Sequence, residues 1–166
     1  MKKVIPLVII GIFFTCNAHA LDLKMLDVRQ KIFALSQEIK DNVPKTKDSY
    51  AMQAMFNSCL MTASQLDAYF HMVGIFDTIK KESLNITAVD FLTAWLQQIQ
   101  KTNQLNLNTF NTLISSVEPA TKKYVEKVRS TFSNLNGIIV EELNKVNALK
   151  KSIVVAPPAK TQNPKR

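Results

Sequence analysis

This chain has little of the equipment from which active sites are usually built. Its 166 residues include three glycines, two cysteines, two histidines and one tryptophan. Each shortage excludes something. So little glycine leaves no glycine-rich loop to cradle a phosphate and no G-x-S-x-G turn to present a nucleophilic serine. The two cysteines supply neither a disulfide framework nor the C-x-x-C-H run of covalent haem. Short alternating apolar runs between turn residues are also missing, which argues against a sheet.

What is present begins with Lys2 and Lys3, an uncharged run from Val4 to Phe14, and the small-residue pattern Ala18-His19-Ala20. These are the three parts of a secretory signal, with cleavage expected between Ala20 and Leu21. The apolar run is too short to cross a bilayer, which takes about twenty residues as a helix. The reading is therefore a bacterial export signal (residues 1–20), a periplasmic or secreted product, and no transmembrane helix in the mature chain. Lipid attachment at Cys16 is the alternative, but Phe13 and Thr15 stand where lipoprotein signals usually carry a leucine-like and a small residue. Once the signal is removed Cys59 is the remaining cysteine. It is either a buried thiol that packs as a small hydrophobe or, in an oxidising compartment, a bridge between two copies in a homo-oligomer.

Charge is unevenly placed. Lys and Arg number 21 against 13 Asp and Glu, a formal charge of +8. Residues 21–142 are balanced, whereas Lys145, Lys150, Lys151, Lys160, Lys165 and Arg166 follow with no acid among them. A nucleic-acid module spreads its cations over a folded face and interleaves them with aromatics. The last 24 residues hold no aromatic side chain, so no nucleic-acid partner is expected.

The apolar residues recur at steps of three and four, the spacing of a helix stripe. Met25, Val28, Ile32, Leu35 and Ile39 mark a first helix, stopped ahead of Pro44. A second starts near Asp48, a plausible N-cap, and runs to about Lys81 on Met52, Met55, Cys59, Ala63, Leu66, Phe70, Val73 and Phe76. Tyr69, Met72 and Ile75 widen that stripe, so the stretch from Leu66 to Phe76 is apolar over more than half its circumference. It is either central to the fold or a contact surface. Thr87 and Asp90 have the spacing of a capping box at the start of a third helix. Its stripe passes through Val89, Leu92, Leu96, Ile99, Phe110, Leu113 and Val117, interrupted by Asn103 and Asn106. Asparagine prefers caps and turns, so a break or kink is expected between Asn103 and Asn108. The last helix follows Pro119 on Val125, Val128, Phe132, Leu135, Ile139, Val146 and Leu149, with Glu142 as its one charged member. From Ser152 onward the proline-containing segment should be a disordered basic tail. These signals describe an all-α protein: an elongated, antiparallel, up-and-down four-helix bundle over residues 21–151, coiled-coil-like in its packing, with no internal repeat.

Candidate chemistry is sparse. Met52, Met55 and Cys59 share a face and are soft ligands suited to monovalent copper, although methionine at helical spacing is more often core. His71 with Met25 would be the haem pair, but antiparallel counting around Pro44 sets Met25 opposite Gln65, and the phase of His71 places it off the main stripe. A hydrolase would also have to recruit His71. Glu141 and Glu142 are adjacent and about 100° apart on a helix, a poor start for paired carboxylates. Asn85 opens an N-I-T glycosylation acceptor of use only in a eukaryote. The sequence thus points to an exported, non-enzymatic bundle without a cofactor, which binds a protein or an anionic envelope component in the manner of a chaperone, adaptor or secretion component. Leu66, Tyr69, Phe70, Met72, Val73, Ile75 and Phe76 would supply the apolar contact. Lys150, Lys151, Lys160, Lys165 and Arg166 would supply the cationic one. The alternative is a periplasmic bundle carrying copper, haem or a small apolar ligand in its core.

Overall fold

The computed structural model describes residues 23–78 and 86–155. The signal with Ala18 and Ala20, Cys16, the Asn85 acceptor, and Lys160, Lys165 and Arg166 of the tail all lie outside the described residues. Four α-helices occur among the described residues: α1 (Leu23–Lys40), α2 (Ser49–Thr78), α3 (Ile86–Leu113) and α4 (Pro119–Val155). Pro44 sits in a single 3-10 turn, Val43–Lys45, between the first two. No strand occurs among the described residues.

The polar contacts between helices give the topology. Lys24 meets Glu141 and Glu38 meets Lys127, so partner numbers fall along α4 as they rise along α1, and the two helices are antiparallel. Ser58 with Asn106 and Gln65 with Trp95 relate α2 to α3 in the same sense. Tyr69 reaches Glu142 across the diagonal between the parallel helices α2 and α4. This is an up-and-down four-helix bundle. It is elongated, since the 37 residues of α4 extend about 55 Å at about 1.5 Å per residue.

One apolar core runs the length of the bundle, and it is built from the stripes visible in the sequence. Met25, Val28, Ile32 and Ile39 of α1, Met52, Met55, Cys59 and Leu66 of α2, Leu96, Ile99 and Phe110 of α3, and Val125, Phe132, Leu135 and Ile139 of α4 have at most 1% of their surface exposed. Phe110 and Phe132 meet edge to face, with ring centroids 5.3 Å apart. Burial of such side chains contributes about 1.5–3 kcal/mol each, and helices of this composition depend on it, because isolated helical turns are marginal in water.

Several expectations are corrected. Helix α3 does not break: it is continuous through Asn103 and Asn106. The buried Asn103 amide donates to the Phe132 carbonyl at 2.9 Å, and the Ser58 hydroxyl donates to Asn106 Oδ1 at 3.2 Å. Tertiary partners thus satisfy one amide atom of each asparagine, while Asn103 Oδ1 and Asn106 Nδ2 are buried without a hydrogen-bond partner. Thr87 is inside α3 rather than capping it, and Asp90 is paired with Lys150 instead of reaching back to the helix start. Asp48 does precede α2, but its carboxylate accepts the backbone N–H of Glu118 at 2.8 Å, tying the α1–α2 turn to the α3–α4 turn. Helix α4 continues past Ser152 to Val155, and Ile153 packs against the core, so the helical domain outruns its expected end at residue 151.

Candidate binding surfaces

The residues singled out for metal chemistry lie in the core. Met52, Met55 and Cys59 are 1%, 0% and 0% exposed, and burial pushes the Cys59 thiol up from 9.0 to about 12. Copper and disulfide chemistry both require the thiolate, so this environment opposes both. A thiol so enclosed does not reach the surface of the bundle, so a bridge through Cys59 would require the helices to open. His71 is exposed on α2, with Nδ1 at 2.7 Å from the Asp67 carbonyl of its own helix, whereas Met25 is fully buried. The two occupy different environments and do not form a ligand pair. Among the described residues no three His, Cys, Asp or Glu side chains gather in a metal-holding group.

The apolar zone of α2 divides in two. Leu66, Tyr69 and Val73 are 0%, 2% and 5% exposed and belong to the core, so they are unavailable as contact residues. Phe70, Met72 and Phe76 are partly buried against that core, and Ile75 is open, with 60% of its surface exposed. Tyr69 faces inward because its hydroxyl donates to Glu142 Oε1 at 2.7 Å. That carboxylate, itself buried, is also 3.1 Å from the Lys145 ammonium. Phe70 is turned toward the edge as a result, and a shallow groove on α2 is lined by Phe70, His71, Gly74 and Ile75. Of the cations, Lys150 is engaged with Asp90 at 2.6 Å, while Lys151 is exposed.

The surface shows a pattern that no sequence motif marks. Helices α1 and α4 carry six charged residues in 18 and ten in 37. Over 30 and 28 residues, α2 and α3 together carry only Asp67, Asp77, Asp90 and Lys101. Asp67 is turned toward α1, where Arg29 grips it with two bonds of 2.8 and 2.6 Å, and Asp90 is turned toward α4. Lys101 lies at the α4 border, in a shallow groove with Gln97, Gln100, Gln104, Leu105 and Asn136. Among the described side chains, the outward face of the α2–α3 pair is therefore poor in charge, with Lys101 at its α4 edge. It also holds a disproportionate share of the open apolar side chains: of ten large hydrophobics with substantial exposure, Tyr50, Leu60, Met61, Ile75, Ile86, Phe91 and Leu105 are on these two helices. The signal was available in the sequence as the scarcity of charge from residue 49 to 113. Which side of each helix carried that scarcity depended on the packing.

No protein-family model, curated protein or solved structure matches this chain.

Among the described residues no helix is long and apolar enough to cross a membrane. What the arrangement offers chemically is two contrasting exteriors on one rigid bundle. One is ionic, on α1 and α4, and the other is neutral and moderately apolar, on α2 and α3.

Proposed function

We propose that this is an exported, non-enzymatic binding protein. It attaches to an anionic component of the cell envelope through the basic end of α4 and the tail, and it holds a protein partner on the neutral α2–α3 face. The observation that carries this reading is the partition of charge between the two sides of the bundle. Protein contacts are depleted of charge at their centres, whereas attachment to anionic headgroups draws on clustered Lys and Arg. Lys151 near the end of α4, followed in sequence by Lys160, Lys165 and Arg166, provides that cluster.

The test is cosedimentation with vesicles of anionic phospholipid and, separately, of neutral phospholipid, using the full exported chain and a chain ending at Val155. Ending at Val155 keeps the packing of Ile153 and removes three cations. At about 1 kcal/mol per basic residue near the surface, the shortened chain should bind anionic vesicles about 100-fold more weakly. Neither chain should bind neutral vesicles. Equal binding by the two chains would end the attachment reading.

A further inference from the structure

The polar groups that the fold leaves unmatched gather at one junction. Ser58, Thr62 and Gln65 of α2 fall within about 60° of one another around the helix, and Trp95, Thr102 and Asn106 of α3 within about 40°. The two stripes face each other, since Ser58 donates to Asn106 Oδ1 at 3.2 Å and the Trp95 indole donates to the Gln65 carbonyl at 3.1 Å. That register sets Thr62 opposite Thr102. Along this seam Thr62 Oγ1, Gln65 Oε1 and Asn106 Nδ2 are buried without a hydrogen-bond partner, as is Oδ1 of Asn103, one turn from Asn106 on the core side. Each such group costs stability while it stays dry. Among the described residues the α1–α2 and α3–α4 pairs are better matched. Ser36, the buried polar residue of α1, bonds to the Phe33 carbonyl of its own helix, and Arg29 grips Asp67 with two bonds. Asn103 Nδ2 donates to the Phe132 carbonyl, and the Phe132 ring meets Phe110 edge to face. The bundle is thus two well-matched hairpins, α1–α2 and α3–α4, joined along a poorly matched seam.

We propose that the bundle opens along this seam on an anionic lipid surface, parting as two intact hairpins whose apolar faces turn into the bilayer. Opening follows attachment through the basic end of α4 and the tail, and so rests on that reading. In water the core keeps the hairpins together, because parting them would expose Met55, Leu66, Leu96 and Phe132, all fully buried, to solvent. An acyl layer houses such side chains again, as it does the apolar face of an amphipathic helix lying in the interface. The seam then gains, since its amides and hydroxyls reach water or headgroups. At the opposite boundary, between α1 and α4, the hairpins are held from outside by Lys24 with Glu141 and by Lys127 with Glu38, whose side chains are between 41% and 66% exposed. Exposed pairs of this kind are weak, and anionic headgroups compete for both lysines. Opening also parts Tyr69 from Glu142, but Glu142 keeps Lys145 of its own helix, and Asp48, released from the Glu118 N–H, is exposed to water. The pairs inside each hairpin, Arg29 with Asp67 and Lys150 with Asp90, are untouched.

Distances between paired spin labels on the full exported chain test this, with circular dichroism as the check on folding. The labels go on exposed positions: Gln53→Cys with Asn111→Cys across the seam, Lys31→Cys with Ser64→Cys inside the first hairpin, and Gln104→Cys with Ser133→Cys inside the second. Cys59 is fully buried and takes no label. Neighbouring helices of a closed bundle are about 8–10 Å apart; on phosphatidylglycerol vesicles the cross-seam distance should at least double. Both distances inside hairpins should hold, and all three should hold in water and with neutral phosphatidylcholine vesicles. Thr62→Val removes one unpartnered group and keeps the shape of the side chain, so it should raise the lipid concentration for half-opening about tenfold. Opening at the same or lower lipid concentration in Thr62→Val overturns the role of the seam. Equal lengthening of all three pairs overturns parting as hairpins. Cosedimentation of the same samples separates this inference from the one beneath it: chains that bind the vesicles with the cross-seam distance unchanged overturn opening and leave attachment standing, whereas chains that stay in solution overturn both.

Discussion

Cys59 shows what a single position can and cannot do in this protein. As one of few cysteines it attracts chemical readings, but its thiol packs among apolar side chains and its ionisation is pushed up to about 12 from 9.0 by desolvation. The folded-state value lies above the unfolded one, so the neutral thiol contributes stability that is complete below pH 9.0 and lost between pH 9.0 and about 12. In that window the unfolded chain releases a proton that the folded chain retains, and unfolding free energy falls by up to about 1.4 kcal/mol per pH unit. Denaturant melts at intervals across this range should therefore show a steeper alkaline loss for the natural chain than for Cys59→Ala. Parallel slopes would mean the thiol is ionised while folded. Glu142 teaches a related lesson. Its place in the α4 stripe and the lysine three residues on, Lys145, were evident from spacing, yet only the fold supplied Tyr69 as a partner.

At the scale of the element, spacing located the helices well and their caps poorly. Stripes at three and four residues identified the buried face of α1 and α4 nearly residue for residue, because core burial repeats with the helix itself. The errors fell where backbone or side-chain polar groups had a choice of partner. Asn103 and Asn106 favoured a break until α4 and α2 supplied partners, and Asp48 gave its carboxylate to Glu118 instead of to its own helix. Glycine gives an element-scale prediction. Gly74 in α2 and Gly137 in α4 lie in helix interiors, are exposed, and have open space where a Cβ would go. Alanine at either site removes backbone freedom from the unfolded chain and adds no clash, so Gly74→Ala and Gly137→Ala should each raise stability by about 0.5–1 kcal/mol. Chemical denaturation midpoints check this, and a loss at either site would reveal a constraint on that helix surface.

For the whole molecule, the uneven distribution of charge leads to a salt response. Attachment through the basic end of α4 and the tail depends on exposed charges, which are screened beyond about 8 Å at physiological salt. Raising salt should therefore release the protein from anionic vesicles, and cosedimentation at increasing ionic strength reads this. Retention at high salt would mean that the attachment is not ionic.

By itself the sequence determined the class of fold, the identity of most core residues and the neutrality of the segment from residue 49 to 113, because hydrophobic period and charge content are properties of the chain read in order. Tertiary structure decided the rest: that α3 stays whole across its asparagines, that Tyr69 faces in and Phe70 toward the edge, and that Asp67 and Asp90 turn aside to Arg29 and Lys150. Those outcomes depend on which side chains arrive from distant parts of the chain. A polar group's preferred state is set by the partner it meets, and local sequence does not record that partner.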